Sequence, residues 1–160
     1  MQFVVVATLV AQLFGGVPID GISCESMEGA VEHTHMHLQL FQAGRPVEVP
    51  ANIGISEARG CLYWVHTHTS DGIIHIESPV KRAFTLGEFF DIWGQDLNTT
   101  HAADVASPKG KKLLVTVNGK VWHGDPRAIV LRDREEIVIQ SGPPYGKPHD
   151  YNWKKFYEQQ

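Results

Sequence analysis

The chain predicts a mainly β fold, either an antiparallel β-sandwich or a β-grasp-like domain, with one short helix at about 85–93 and an apolar N-terminal strand. Three observations lead there. Short alternating apolar and polar runs broken by turn dipeptides dominate from His35 onward. One segment alone combines helical spacing with a helix cap. The 160 residues, 42% of them hydrophobic, suit a single core. The expected organisation is an N-terminal strand and glycine joint over 1–16, then one β-rich domain over 17–160.

Phe3 to Phe14 is apolar, uncharged and rich in β-branched residues, which favours a strand. Its odd positions are all apolar, whereas Thr8 and Gln12 lie among the even ones. It is too short to span a membrane as a helix, which needs ~20 apolar residues. Gly15, Gly16 and Pro18 then make a joint. A strand on such a joint suits donation to a neighbouring subunit. Packing within its own domain and a leftover targeting segment are the alternatives, the last weakened because no Lys or Arg precedes it.

His35 to Phe41 alternates, with Met36, Leu38 and Leu40 on one face and His35, His37 and Gln39 on the other. Ala43-Gly44 turns the chain back into Arg45–Val49, where Pro46 and Pro50 mark an edge. In Tyr63 to Pro79 (YWVHTHTSDGIIHIESP) a two-residue Asp71-Gly72 turn would set His68 opposite His75 and His66 opposite Glu77. Val65, Thr67, Ile74 and Ile76 would take the other face. Thr85 and Glu88 form a capping box, and Leu86, Phe89, Phe90 and Trp93 recur at helical spacing before Gly94. Residues 98–112 read as a surface loop. Asn118-Gly119 marks a hairpin between 113–117 and 120–123, and 128–131 with 136–140 reads as a further strand pair. The Pro-rich tail from Gly142 is expected to lie extended over the surface.

The formal net charge is −4 with no basic stripe, which excludes nucleic acid as a partner. Cys24 and Cys61 form no CxxC, so a zinc ribbon or redox pair is excluded. They are left as two buried thiols or, as we expect of an extracellular protein, one disulfide worth ~4 kcal/mol in the chain-entropy model.

Six of nine histidines fall within 33–37 and 66–75. His66, His68, His75 and Glu77 at strand spacing make a plausible first coordination shell, with Glu77 as a fourth ligand or as a group orienting an imidazole. His33, His35 and His37 form a second strand-spaced group, sharing that site or making another. Imidazoles without thiolate suit a copper or zinc ion. The bland reading is a polar sheet face that happens to use histidine, and this is the reading preferred for His101, His123 and His149.

The set HTHMHLQLF, CLYWVHTHTSDGIIHIESP and FTLGEFFDIWGQ resembles a family of prokaryotic proteins of secreted character, over about Pro18 to Gly142. The resemblance implies secretion and one domain, and brings no activity with it. The helix followed by LLVTVNGK and IVLRDREEIVIQSGPP is similar to the second half of a β-grasp domain, as in ubiquitin-like sulfur carriers. Their terminal diglycine is missing, so only the fold carries over. The expected function is a secreted copper- or zinc-binding structural protein that self-assembles, into a filament if the N-terminal strand is donated. A cupin-like metal enzyme and a metal-free adhesion module are the alternatives. No Ser-His-Asp or Cys-His pattern accompanies the histidines, so no catalytic residue is assigned.

Overall fold

A computed structural model describes residues 16–159. The expected strand at 3–14 lies outside them. The strands are β1 (Cys24–Glu25), β2 (Glu32–Gln42), β3 (Arg45–Val47), β4 (Ile55–Ser56), β5 (Cys61–Tyr63), β6 (Val65–His66) and β7 (Ile73–Ser78). After helix α1 (Leu86–Trp93) come β8 (His101–Ala102), β9 (Val105–Ala106), β10 (Leu114–Val117), β11 (Lys120–Val121) and β12 (Glu136–Ser141), then helix α2 (Trp153–Glu158).

The fold is mainly β with one principal helix. The main sheet runs β11-β10-β12-β2-β7-β6, and β3 pairs with the distal half of β2. Its centre departs from the antiparallel expectation. β12 lies parallel to β2, from Glu136 beside His37 to Ser141 beside Gln42. The long connection through β7, α1 and the β10–β11 hairpin supplies the crossover that a parallel pair requires. A central parallel pair, a hairpin on each side and a helix across one face organise the main sheet. A small sheet, β1-β5-β4, stands beside it and is tied by the Cys24–Cys61 disulfide, Cα–Cα 5.3 Å.

Alternation builds the core. Met36, Leu38 and Leu40 of β2, Ile74 and Ile76 of β7, and Ile137 and Ile139 of β12 share one face. Leu86, Phe89 and Phe90 of α1 cover it, so both partners bury their apolar stripes. Thr85 accepts from the Glu88 amide while Glu88 reaches back to the Thr85 amide at 2.7 Å, and Gly94 ends the helix in a left-handed conformation. Ala43-Gly44, both at positive φ, bring Val47 opposite Leu40.

Three local expectations change. Residues 128–131 form no strand beside β12, because Asp125 caps a 3-10 turn at Pro126–Ala128. The backbone beyond it pairs with the entry to α1, through Leu86 N to Ile129 O at 2.8 Å and Leu131 N to Phe84 O at 2.8 Å. Residues 98–112 are more than a surface loop, since the β8–β9 hairpin buries Ala102 and Val105 completely. The tail does not remain extended. It ends in α2, where Asn152 caps the Lys155 amide at 3.0 Å.

Candidate metal centre

Two strands aim the histidines. With Met36 and Ile74 committed to the core, alternation turns His33, His35 and His37 of β2, and His75 and Glu77 of β7, to the opposite face. His33 sits beside Glu77, and His35 beside His75. On the other side of β7, His66 sits beside His75. Three imidazoles thus form a row across three strands, with Glu77 on the adjacent rung.

The last pairing corrects the expected hairpin. His68 is not opposite His75, nor His66 opposite Glu77, because the turn is wider than Asp71-Gly72. Thr67 leaves the ladder: its hydroxyl donates to Pro50 O at 2.8 Å and accepts from Ile53 N at 3.0 Å. Asp71 accepts from Thr69 Oγ1 at 2.7 Å and from Ile73 N at 3.2 Å, closing the longer loop. Gly72 donates no side chain for a reason, since a Cβ there would meet the Leu38 carbonyl oxygen. The slip is two residues, and strand side chains have period two. Every side chain therefore keeps its expected face while the partners change.

The donor atoms converge as two groups: His33, His35, His75 and Glu77, and His66, His68, His75 and Glu77, each with donors within 4.8 Å of one another. Glu77 Oε1 lies 3.1 Å from His33 Nε2 and 3.5 Å from His75 Nδ1, and Oε2 lies 3.4 Å from His66 Nε2. His66 and His68 face each other Nε2 to Nε2 at 3.1 Å. Three buried atoms at the centre, His35 Nε2, His75 Nδ1 and Glu77 Oε2, have no hydrogen-bond partner. Such orphans are costly, on the order of 1–3 kcal/mol each.

The surroundings fix which ring nitrogens carry protons. Tyr63 O can only accept, so His66 Nδ1 donates to it at 2.8 Å and Nε2 is the ring nitrogen turned inward as a candidate ligand atom. Tyr157 donates to Asp133 at 2.7 Å, and its oxygen accepts from His35 Nδ1 at 3.0 Å, which leaves the His35 Nε2 lone pair facing the cluster. Burial and the Asp133 carboxylate push the Tyr157 phenol up to about 12, so it stays a donor. Burial, with the charges of His75 and His33, pushes His35 down to about 4. Burial and the neighbouring His66 and His75 also lower His68. Burial opposes ionisation of Glu77, but His66 and His75 outweigh it and hold the carboxyl well below its ordinary range. Imidazoles turned on one carboxylate form a nitrogen–oxygen donor set able to hold a metal ion.

His37 belongs to neither group. It is as buried as His35, yet its Nδ1 bonds Glu136 Oε2 at 2.7 Å and its ring packs on Tyr151. A cavity of about 810 Å³ opens beside it, lined by Gln39, Phe41, Val47, Asp71 and Tyr151. His101, His123 and His149 are exposed. The supporting residues Tyr157, Asp133 and Glu28, the last 3.6 Å from His68, escape sequence reasoning. Only Tyr157 left a trace, in the helical spacing of Trp153, Phe156 and Tyr157. Comparison with protein-family models, curated proteins and solved structures finds no match for this chain.

Proposed function

We propose that the protein is a secreted, histidine-rich metal-binding protein that takes copper or zinc on the polar face of its main sheet. The carrying observation is that buried atoms of His35, His75 and Glu77 have no hydrogen-bond partner and belong to two groups whose donor atoms lie within 4.8 Å of one another. Metal binding within the two donor groups would give these atoms partners. The absence of thiolate from the donor set favours copper or zinc, with copper preferred by the general affinity order. The Cys24–Cys61 disulfide and the resemblance of the sequence motifs to a secreted family support an extracellular location. Among the described residues no helix is long and apolar enough to cross a membrane.

The test is elemental analysis of untagged protein after dialysis. Stoichiometric copper or zinc in the wild type, lost in His75→Ala/Glu77→Ala, is expected. A metal-free wild type after incubation with either ion overturns the reading and favours the adhesion module. Self-assembly by donation of the N-terminal strand rests on the sequence of residues 3–14. Deleting residues 1–14 should yield monomers that still bind metal, and assemblies that survive the deletion would refute strand donation.

A second reading, a metal-dependent enzyme, is favoured by the half-exposed His33 and His68 at the edge of the cluster and by the cavity at His37. It demands an open coordination position, which small anions such as azide would report by shifting the copper spectrum.

A further inference from the structure

We infer that the centre is dinuclear, with two metal ions bridged by the Glu77 carboxylate, one held by His33 and His35 and the other by His66 and His68. This rests on the metal-binding reading above. The two donor groups share only His75 and Glu77, and their remaining ligands stand on opposite sides of β7, from β2 on one side and from β6 and its following loop on the other.

The carboxylate is already divided between them. Its Oε1 faces His33 Nε2 at 3.1 Å, whereas its Oε2 faces His66 Nε2 at 3.4 Å. One ion cannot satisfy the whole set. Placed among His66, His68 and Glu77, it leaves the buried His35 Nε2 without a partner. Placed among His33, His35 and Glu77, it leaves His66 Nε2, which the bond to Tyr63 O turns inward, facing His68 Nε2 at 3.1 Å and a carboxylate oxygen. Two ions use every donor. His75 Nδ1, 3.5 Å from Oε1, joins the β2-side ion.

Two dications bring more positive charge than the nearby carboxylates carry, so anions from solvent complete the balance. Glu77 alone offsets one positive charge of two dications, and Glu28 stands 3.6 Å from His68 on the β6 side. His33 is 52% and His68 40% exposed, so water, hydroxide or a small anion can complete both coordination spheres from solvent. A carboxylate-bridged pair with such open positions is an arrangement able to bind and polarise one anionic or oxygen ligand between two ions.

The test titrates the metal-stripped, untagged full chain with copper(II), and separately with zinc, counting bound ions after desalting. Two ions per chain are expected in the wild type, and one in each of His33→Ala/His35→Ala and His66→Ala/His68→Ala. The copper-loaded wild type should show spin coupling, with electron paramagnetic resonance intensity per copper below that of an equimolar mononuclear copper(II) standard. This measurement needs no variant to fold. One ion per chain in the wild type overturns the dinuclear centre and leaves the metal-binding reading standing, whereas none overturns both. Two ions with full, uncoupled intensity also overturn it, because they would sit in separate sites.

Discussion

Tyr157 and His35 show how much of the site is set one residue at a time. A phenol that stays protonated to about pH 12 donates its hydrogen bond to Asp133, and this leaves its oxygen to accept from His35 Nδ1. The same burial gives His35 a pH signature in the metal-free protein. In the unfolded chain its imidazole takes a proton near pH 6.5, but in the folded protein it remains neutral down to about 4. Between those values the unfolded state binds more protons, so stability is complete above pH 6.5 and falls as the pH drops toward 4. Glu77, whose folded carboxyl titrates below its ordinary 4.5, adds a further loss as the pH drops beneath that value. Thermal melts of stripped protein should show this fall, and it should be shallower in His35→Phe. A wild-type midpoint that holds steady from pH 7 to 4 would contradict the assignment. The types of the candidate ligands were legible in the sequence at this scale. The proton directions were not, because Tyr63 O, Asp133 and Tyr157 reach their histidines only through the fold.

At the scale of elements, signals carried by neighbouring residues survived intact. The capping box at Thr85 and Glu88 and the Asn118-Gly119 turn appear where their local chemistry requires them. The turn after His66 moved by two residues because the Pro50 and Ile53 backbone groups captured Thr67, a competition between segments that no local rule contains. The two helices now serve opposite faces of the sheet, and substitutions separate their roles. Thr85→Ala should cost about 1 kcal/mol in stability and leave metal affinity unchanged, since α1 lies on the apolar face. Tyr157→Phe in α2 should cost little stability yet weaken metal binding about 10- to 100-fold, because it frees the His35 ring to turn. Competition titration with a chelating dye measures the affinities and denaturation the stabilities. Equal metal affinity in wild type and Tyr157→Phe would remove the tyrosine from the centre's support.

Across the whole molecule, the sheet is covered twice. Its apolar face packs on α1, and its histidine face is partly roofed by the tail, held by Gln39 against the His149 backbone at 2.8 and 3.1 Å and by Glu136 against Tyr151 N and Trp153 Nε1, both at 3.0 Å. That roof explains why His35 and His37 are as inaccessible as the core. The small disulfide-tied sheet couples to the centre through Tyr63, which pairs with Cys24 and whose carbonyl orients His66. Cys24→Ser/Cys61→Ser opens a link spanning 37 positions and should lose ~4 kcal/mol by the chain-entropy model. Denaturant titration checks this, and metal affinity should fall with it. An unchanged affinity would show that β5 holds Tyr63 without the bridge.

The sequence by itself determined the β class, the single principal helix and the face on which each strand histidine lies. All of these follow from alternation, capping and turn chemistry, which act over a few residues. Tertiary structure alone decided the parallel centre of the sheet, the register that pairs His66 with His75, the separation of His37 from the cluster and the fold-back of the tail. Those depend on which distant polar groups capture one another once the apolar face is buried. Such long-range pairings leave no periodic trace in the chain.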